Sequence, residues 1–297
     1  MLRIIADSTC DISKEDARKM GIQIVPISVR FGDEEFLDGV EITHEEFYTR
    51  LAECDELPKT SQPSPDTFMK VFNEAVAAGD DVLGIFISSD LSGTYQSACL
   101  AASDVEDETG KKLYMVDSRS ASIGTALLIR EAVKLRDAGV NVSDIAAACT
   151  EMSKYIKLTA VVGSLKYLKM GGRLSGAAAF AGTMLHITPV VSIEDGKVVV
   201  IGKTRGKKAA EKLMHDKLTK DGLSLTRDFM FGHINCSESL ETFINKSLTY
   251  ISDVNGNVGV SSIGCSVGTH VGPGTYGIAY VEAAESGMNR ESIVKTA

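Results

Sequence analysis

Val82-Leu83-Gly84-Ile85-Phe86-Ile87-Ser88-Ser89-Asp90-Leu91-Ser92-Gly93-Thr94 reads as a buried strand that runs through a polar turn into a helix. So short an apolar run, bounded by turn residues, fits a central strand better than a helix. The same alternation extends in both directions. Upstream, Ser64-Pro65 opens a helix whose buried face is Phe68, Val71, Phe72, Ala75 and Val76, and Gly79 ends it. Further back, Leu2–Ile5 is a strand leading to Asp7-Ser8-Thr9. Ser13 caps a helix that stops at Gly21, Ile22–Val29 alternates as one strand, and Thr43 with Glu46 forms a capping box.

Downstream, Leu113–Val116 is a strand and Ser122–Ala138 a helix, and Asn141 or Ser143 caps another helix ending near Tyr155. A further strand begins near Leu158. Pro189–Ile193 and Lys197–Ile201 flank the hairpin turn Asp195-Gly196. Lys207–Leu218 and Glu238–Tyr250 read as helices, and Phe229–Gly232, Val258–Ile263 and Gly277–Val281 as strands. The expected fold class is α/β, with mostly parallel sheets flanked by helices. A chain of 297 residues suits two such domains, 1–157 and 158–297, with a ligand between them.

A net charge of −9 argues against nonspecific nucleic-acid binding, which needs a broad basic surface. Met1-Leu2-Arg3-Ile4-Ile5-Ala6-Asp7 does not read as a signal peptide, and no apolar run is long enough to span a bilayer. The expectation is a cytoplasmic protein. Its six cysteines form no C-x-x-C pair and have no histidine at metal spacing, so they read as reduced core thiols. No metal and no cofactor are expected.

In α/β sheets ligands bind beyond the carboxyl ends of the strands, and there the hydroxyls concentrate. Lys59-Thr60-Ser61-Gln62-Pro63-Ser64 offers donors just before a helix; a plain helix cap would explain Ser64 alone. Ser92-Gly93-Thr94 offers two hydroxyls and a glycine that lets a ligand approach the backbone. In Leu165–Ser175, Gly171-Gly172-Arg173 puts a forked donor on a tight turn, while Lys166 and Lys169 read as solvated. In Val267–Thr275, His270 lies among glycines that cannot shield it. Lys203-Thr204-Arg205 is either a source of positive potential or plain surface. His44, His186, His215 and His233 have no evident role, and Asp7 with Asp117 makes a poor metal signal.

Taken together, these stretches resemble the DegV family of bacterial fatty-acid-binding proteins. The resemblance runs through Ala6-Asp7-Ser8-Thr9, Thr60-Ser61-Gln62-Pro63, Leu91–Ser97, Gly171–Ser175, Lys203-Thr204-Arg205 and Thr269-His270-Val271-Gly272-Pro273-Gly274. It implies a long-chain fatty acid such as palmitate, stearate or oleate, enclosed between two domains. Thr60, Ser92 and His270 would hold its carboxylate, supported by Ser61, Gly93, Thr94 and Arg173. It also implies a separate fatty acid kinase that receives the lipid for acyl-phosphate formation and phospholipid synthesis, with transient membrane contact allowed. Met170 departs from the family, where the residue before the two glycines is often basic. A tunnel lining is expected from Ala177–Ala181, Met184, Leu185 and Ile187.

Two other classes compete. A transferase would use Ser92 or Ser8 as nucleophile, but there is no G-x-S-x-G elbow and no evident acid to pair with His270. A nucleotide-binding regulator would need G-x-G-x-x-G or a P-loop, and neither occurs.

Overall fold

The computed structural model describes residues 1–54, 56–176, 187–224, 226–251 and 256–283. From the N-terminus come β1 (Leu2–Asp7), α1 (Lys14–Met20), β2 (Ile22–Val25), β3 (Ser28–Phe31), β4 (Glu34–Leu37), α2 (His44–Glu53), β5 (Lys59–Ser61), α3 (Pro65–Ala77), β6 (Asp81–Phe86), α4 (Thr94–Thr109), β7 (Tyr114–Asp117), α5 (Ile123–Asp137) and α6 (Val142–Met152). There follow β8 (Ile156–Val161), α7 (Lys166–Met170), β9 (Thr188–Glu194), β10 (Lys197–Thr204), α8 (Lys207–Asp221), β11 (Phe229–His233), α9 (Ser237–Ser247), β12 (Val258–Ser262), α10 (Cys265–Val271) and β13 (Tyr276–Val281).

Local chemistry sets many of these ends. Ser13 Oγ accepts from Asp16 N, Ser64 Oγ from Thr67 N, and Asn141 Oδ1 from Asp144 N, each supplying an acceptor to an unpaired first-turn N–H. Thr43 does the same for Glu46 N, but the Glu46 carboxylate pairs with Arg50 at 3.5 Å, so only half of the capping box forms. Ile22–Val29 is not one strand. Pro26 has no N–H to continue the ladder, and the chain turns there from β2 into β3.

The first sheet, in the order β2-β1-β6-β7, is parallel throughout. One face packs Ile5, Val82 and Phe86 against Phe68 and Phe72 of α3 and Ala98 of α4. The other packs Ile4, Leu83 and Ile85 on Ala126, Leu128 and Ile145 of α5 and α6, and that core continues into Met230, Ala279 and Val281 of the second sheet. Helices α5 and α6 are therefore shared filling between two sheets.

The second sheet, β10-β9-β8-β13-β11-β12, departs from the mostly parallel expectation. Only β11 and β12 run parallel; every other neighbouring pair is antiparallel. The hairpin at Asp195-Gly196 forces one such pair, with Asp195 at φ +48° and Gly196 at φ +81°. The rest follow from β13 entering between β8 and β11 against both. A small antiparallel sheet, β4-β3-β5, stands beside α2 and α10. No described helix is long and apolar enough to cross a membrane.

Candidate functional site

Three loops leave the carboxyl ends of the first sheet and are fastened by two acids, buried Asp7 and half-buried Asp117. Asp7, at the end of β1, accepts from Thr9 N (2.9 Å), from the Thr9 hydroxyl and from Ile87 N (2.9 Å), which ties the β1 loop to the β6 loop. Asp117, at the end of β7, accepts from Ser89 N, Ser89 Oγ and Arg119 N. The two aspartates thus have separate, satisfied roles as loop fasteners and do not converge on one ion.

Beyond these loops lies a cavity of about 1100 Å³, a figure that includes space open to solvent. Its far wall is one face of the second sheet. Leu158, Ala160 and Val162 alternate from β8, joined by Val191, Ile193 and Val198, because period-two alternation sends every other side chain inward. Ile87, Leu91, Leu168 and Ala121 complete the apolar part. The remaining wall is α10, which presents Ser266, Val267, His270 and Val271.

Thr60, His270 and Arg173 form one polar group in the lining, and Ser92 also lines it, while Thr9, Ser122, Ser266 and Thr275 add further hydroxyls. Thr60 Oγ1 lies 2.9 Å from His270 Nε2. Ser92 Oγ lies 2.8 Å from Thr94 Oγ1 and accepts from Thr94 N at 3.3 Å. Arg173 donates from Nε to Leu91 O (3.1 Å) and from Nη1 to Gly171 O (2.5 Å), so its guanidinium pins the turn after α7 to the loop after β6. Burial, reinforced by the charge of Arg173, lowers the His270 pKa to about 4. The imidazole is therefore neutral near pH 7. Its Nδ1 is buried and has no partner among the described residues. An N–H there would be an unsatisfied donor, so the favoured tautomer carries its proton on Nε2 and donates to Thr60 Oγ1. That leaves the Thr60 hydroxyl proton free for an acceptor in the cavity. Gly171 makes this packing possible: a Cβ there would stand 2.3 Å from His270 Nδ1.

Thr60, Ser92, Gly93, His270 and Arg173 all line this one cavity, and Thr94 supports it through Ser92. Ser61 does not. Lys59–Ser61 is a strand rather than a turn, so its side chains alternate; Thr60 faces in and Ser61 is exposed. Two further segments read as loops are helices, α7 and α10. His270 accordingly sits in the last turn of a helix and is largely shielded. Lys166 and Lys169 are exposed, and Lys203-Thr204-Arg205 lines no part of the cavity. Of the expected tunnel lining, Ala177–Ala181, Met184 and Leu185 lie outside the described residues, and Ile187 is half-buried away from the cavity. Ser266, whose buried Oγ has no partner, went unnoticed in the sequence. Its signal is the i, i+4 spacing to His270, visible only once that stretch is read as helical.

The model of a family described as an uncharacterised protein, DegV family, matches residues 1–283. The chain belongs to the DegV family. A DegV domain-containing protein of Clostridium perfringens is 34% identical over 290 residues, covering 95% of this chain and 98% of that one. Among solved structures, a fatty-acid-binding DegV family protein from Thermus thermophilus has a TM-score of 0.84 at 31% identity, covering 95% of this chain and 100% of the other. A stearic acid-binding protein from Eubacterium ventriosum has a TM-score of 0.85 at 29% identity, covering 96% and 100%.

Proposed function

We propose that this DegV protein binds a long-chain fatty acid, with the acyl chain in the apolar part of the cavity and the carboxylate at Thr60, Ser92 and His270. The observation that carries this reading is one cavity that joins a long apolar wall to a polar group of Thr60, His270 and Arg173, with Ser92 also in its lining. The solved relatives described as binding fatty acid, stearic acid among them, support it. Burying a sixteen-carbon chain is worth on the order of 10 kcal/mol before immobilisation, at roughly 0.8 kcal/mol per methylene. The carboxylate needs donors to offset its desolvation. Thr60, Ser92 and the positive potential of Arg173 are the groups within reach.

A carrier role fits this group better than catalysis. The hydroxyl beside His270 belongs to Thr60, and the group behind the imidazole is a cation, the reverse of the carboxylate that sustains a catalytic base. Ser92 is bonded to Thr94, and Ser8 donates to the Asp38 carboxylate, so among the described residues neither is paired with an imidazole. On the family resemblance, the bound lipid would be presented in the cytoplasm to a fatty acid kinase for phospholipid synthesis, with 1–157 and 158–297 as the two domains around it.

The test is native mass spectrometry of the purified protein, followed by lipid extraction. A stoichiometric palmitate, stearate or oleate is expected. Thr60→Ala and Ser92→Ala should each weaken binding by about 1–3 kcal/mol, the cost of leaving a buried charge short of a donor. A protein that is empty and takes up no added fatty acid would overturn the reading.

A further inference from the structure

The first turn of α10, at the opposite end of that helix from His270, is enclosed by acidic and metal-ligating side chains that lipid binding does not use. Asp38, in the loop between β4 and α2, accepts from Cys265 N at 3.2 Å and Ser266 N at 3.0 Å. Asp11 accepts from Gly264 N at 2.9 Å. These bonds account for the two carboxylates as caps of the helix. They give no role to His44, and the Cys265 thiol makes only a long 4.0 Å contact to Thr43 O. Yet a carboxylate oxygen of Asp38, a ring nitrogen of His44 and Cys265 Sγ lie within 4.8 Å of one another. Gly264 leaves the space between them open. A Cβ there would stand 3.0 Å from Asp11 Oδ1, 3.1 Å from His44 Nε2 and 3.5 Å from Asp38 Oδ1.

Asp7, Asp11 and Asp38 are all buried, and backbone N–H groups and hydroxyls are the partners of their carboxyls among the described residues.

We propose that Asp38, His44 and Cys265 form a site for a thiophilic divalent cation of the zinc type, independent of what the cavity holds. A thiolate, an imidazole and a carboxylate are a donor set that zinc takes at about 2.0–2.3 Å, in a tetrahedron whose donors stand roughly 3.5 Å apart. From separations of at most 4.8 Å, side-chain rotation closes the remaining gap of about one ångström. Asp11 lies outside this set, its carboxylate accepting from Gly264 N and the Ser122 hydroxyl. Binding transfers the Cys265 thiol proton to solvent, so affinity falls on acidification. Half-buried His44 gives the ion its route in. The ion would clamp the loop before α2 to the first turn of the helix whose last turn carries His270. Sequence spacing could not reveal the set, since His44 and Cys265 lie near opposite ends of the chain.

The test uses the full chain, stripped of metal and titrated with Zn²⁺ and, separately, Co²⁺. One tightly bound equivalent is expected by native mass spectrometry, and the Co²⁺ form should show a thiolate-to-metal charge-transfer band. Cys265→Ser should abolish the band, and His44→Ala should weaken Zn²⁺ binding at least tenfold. His44 makes no side-chain hydrogen bond among the described residues, so its loss should leave the metal-free fold intact. The wild-type Co²⁺ spectrum reports thiolate ligation without depending on a variant. Substoichiometric binding, or one equivalent that neither substitution affects, would overturn the proposal.

Discussion

At the scale of single residues, the polar group depends on keeping one imidazole neutral. The His270 pKa, about 4 against an ordinary 6.5, means that the unfolded chain binds a proton over that interval which the folded, lipid-free protein does not. Stability should therefore rise with pH between about 4 and 6.5, by up to about 3 kcal/mol from this group alone. Urea midpoints of lipid-free wild type and His270→Gln, compared across that range, check it: wild type should lose stability relative to the variant as pH falls, and parallel curves would remove His270 as the cause. The site residues were legible in unequal measure. Thr60, Ser92, His270 and Arg173 could be picked out because hydroxyls, a histidine and an arginine stood beside glycines in a recognisable order. Ser61 was included through adjacency, and only the alternation of a strand separates it from Thr60. The tautomer of His270 was out of reach, because it depends on a partner that Nδ1 lacks in three dimensions.

At the scale of elements, helix ends were the most readable feature, because capping is written in neighbouring residues: Ser13, Ser64 and Asn141 each cap the helix expected of them. The short elements β5, α7 and α10 were not readable. Their residues are rich in glycine and hydroxyls, and packing against distant partners, not local preference, makes them regular. Helix α5 shows how such partners act at long range. Arg130 and Lys134 both reach Asp228, just before β11, at 3.3 and 2.6 Å. Burial alone would raise the Asp228 pKa, but Lys134, the backbone N–H of Asn257 and Arg130 together outweigh it and hold the carboxyl low. Its contribution is present above the ordinary carboxylate pKa and is lost as pH falls through the lowered value. Asp228→Asn should cost roughly 1–2 kcal/mol at neutral pH, discounted because both cations are about a third exposed, and less below pH 4. Thermal unfolding at the two pH values would measure this, and an equal loss at both would refute the electrostatic origin.

At the scale of the whole molecule, the class of fold followed from repeated strand–helix units, whereas the order of strands in the second sheet did not. Nothing local tells β13 to run against β8 and β11, since that choice is made by the faces it buries on both sides. The cavity spans both sheets, so a ligand in it should stabilise their association. At a hundredfold excess over its dissociation constant, stearate is expected to add about 2.7 kcal/mol and raise the melting temperature. The shift should vanish in the Thr60→Ala, Ser92→Ala double variant, and an unchanged shift there would move the carboxylate elsewhere. The place of β13 also bears on biosynthesis. Strands β8 and β11 have no common neighbour until residues 276–281 have left the ribosome. A nascent chain can complete its first sheet early, but it must carry the second as two unjoined pieces with open edges, β10-β9-β8 and β11-β12. The second sheet therefore closes only once residues 276–281 are free of the ribosome, and in the interval those edges are where a chaperone, or a second nascent chain, would meet this protein.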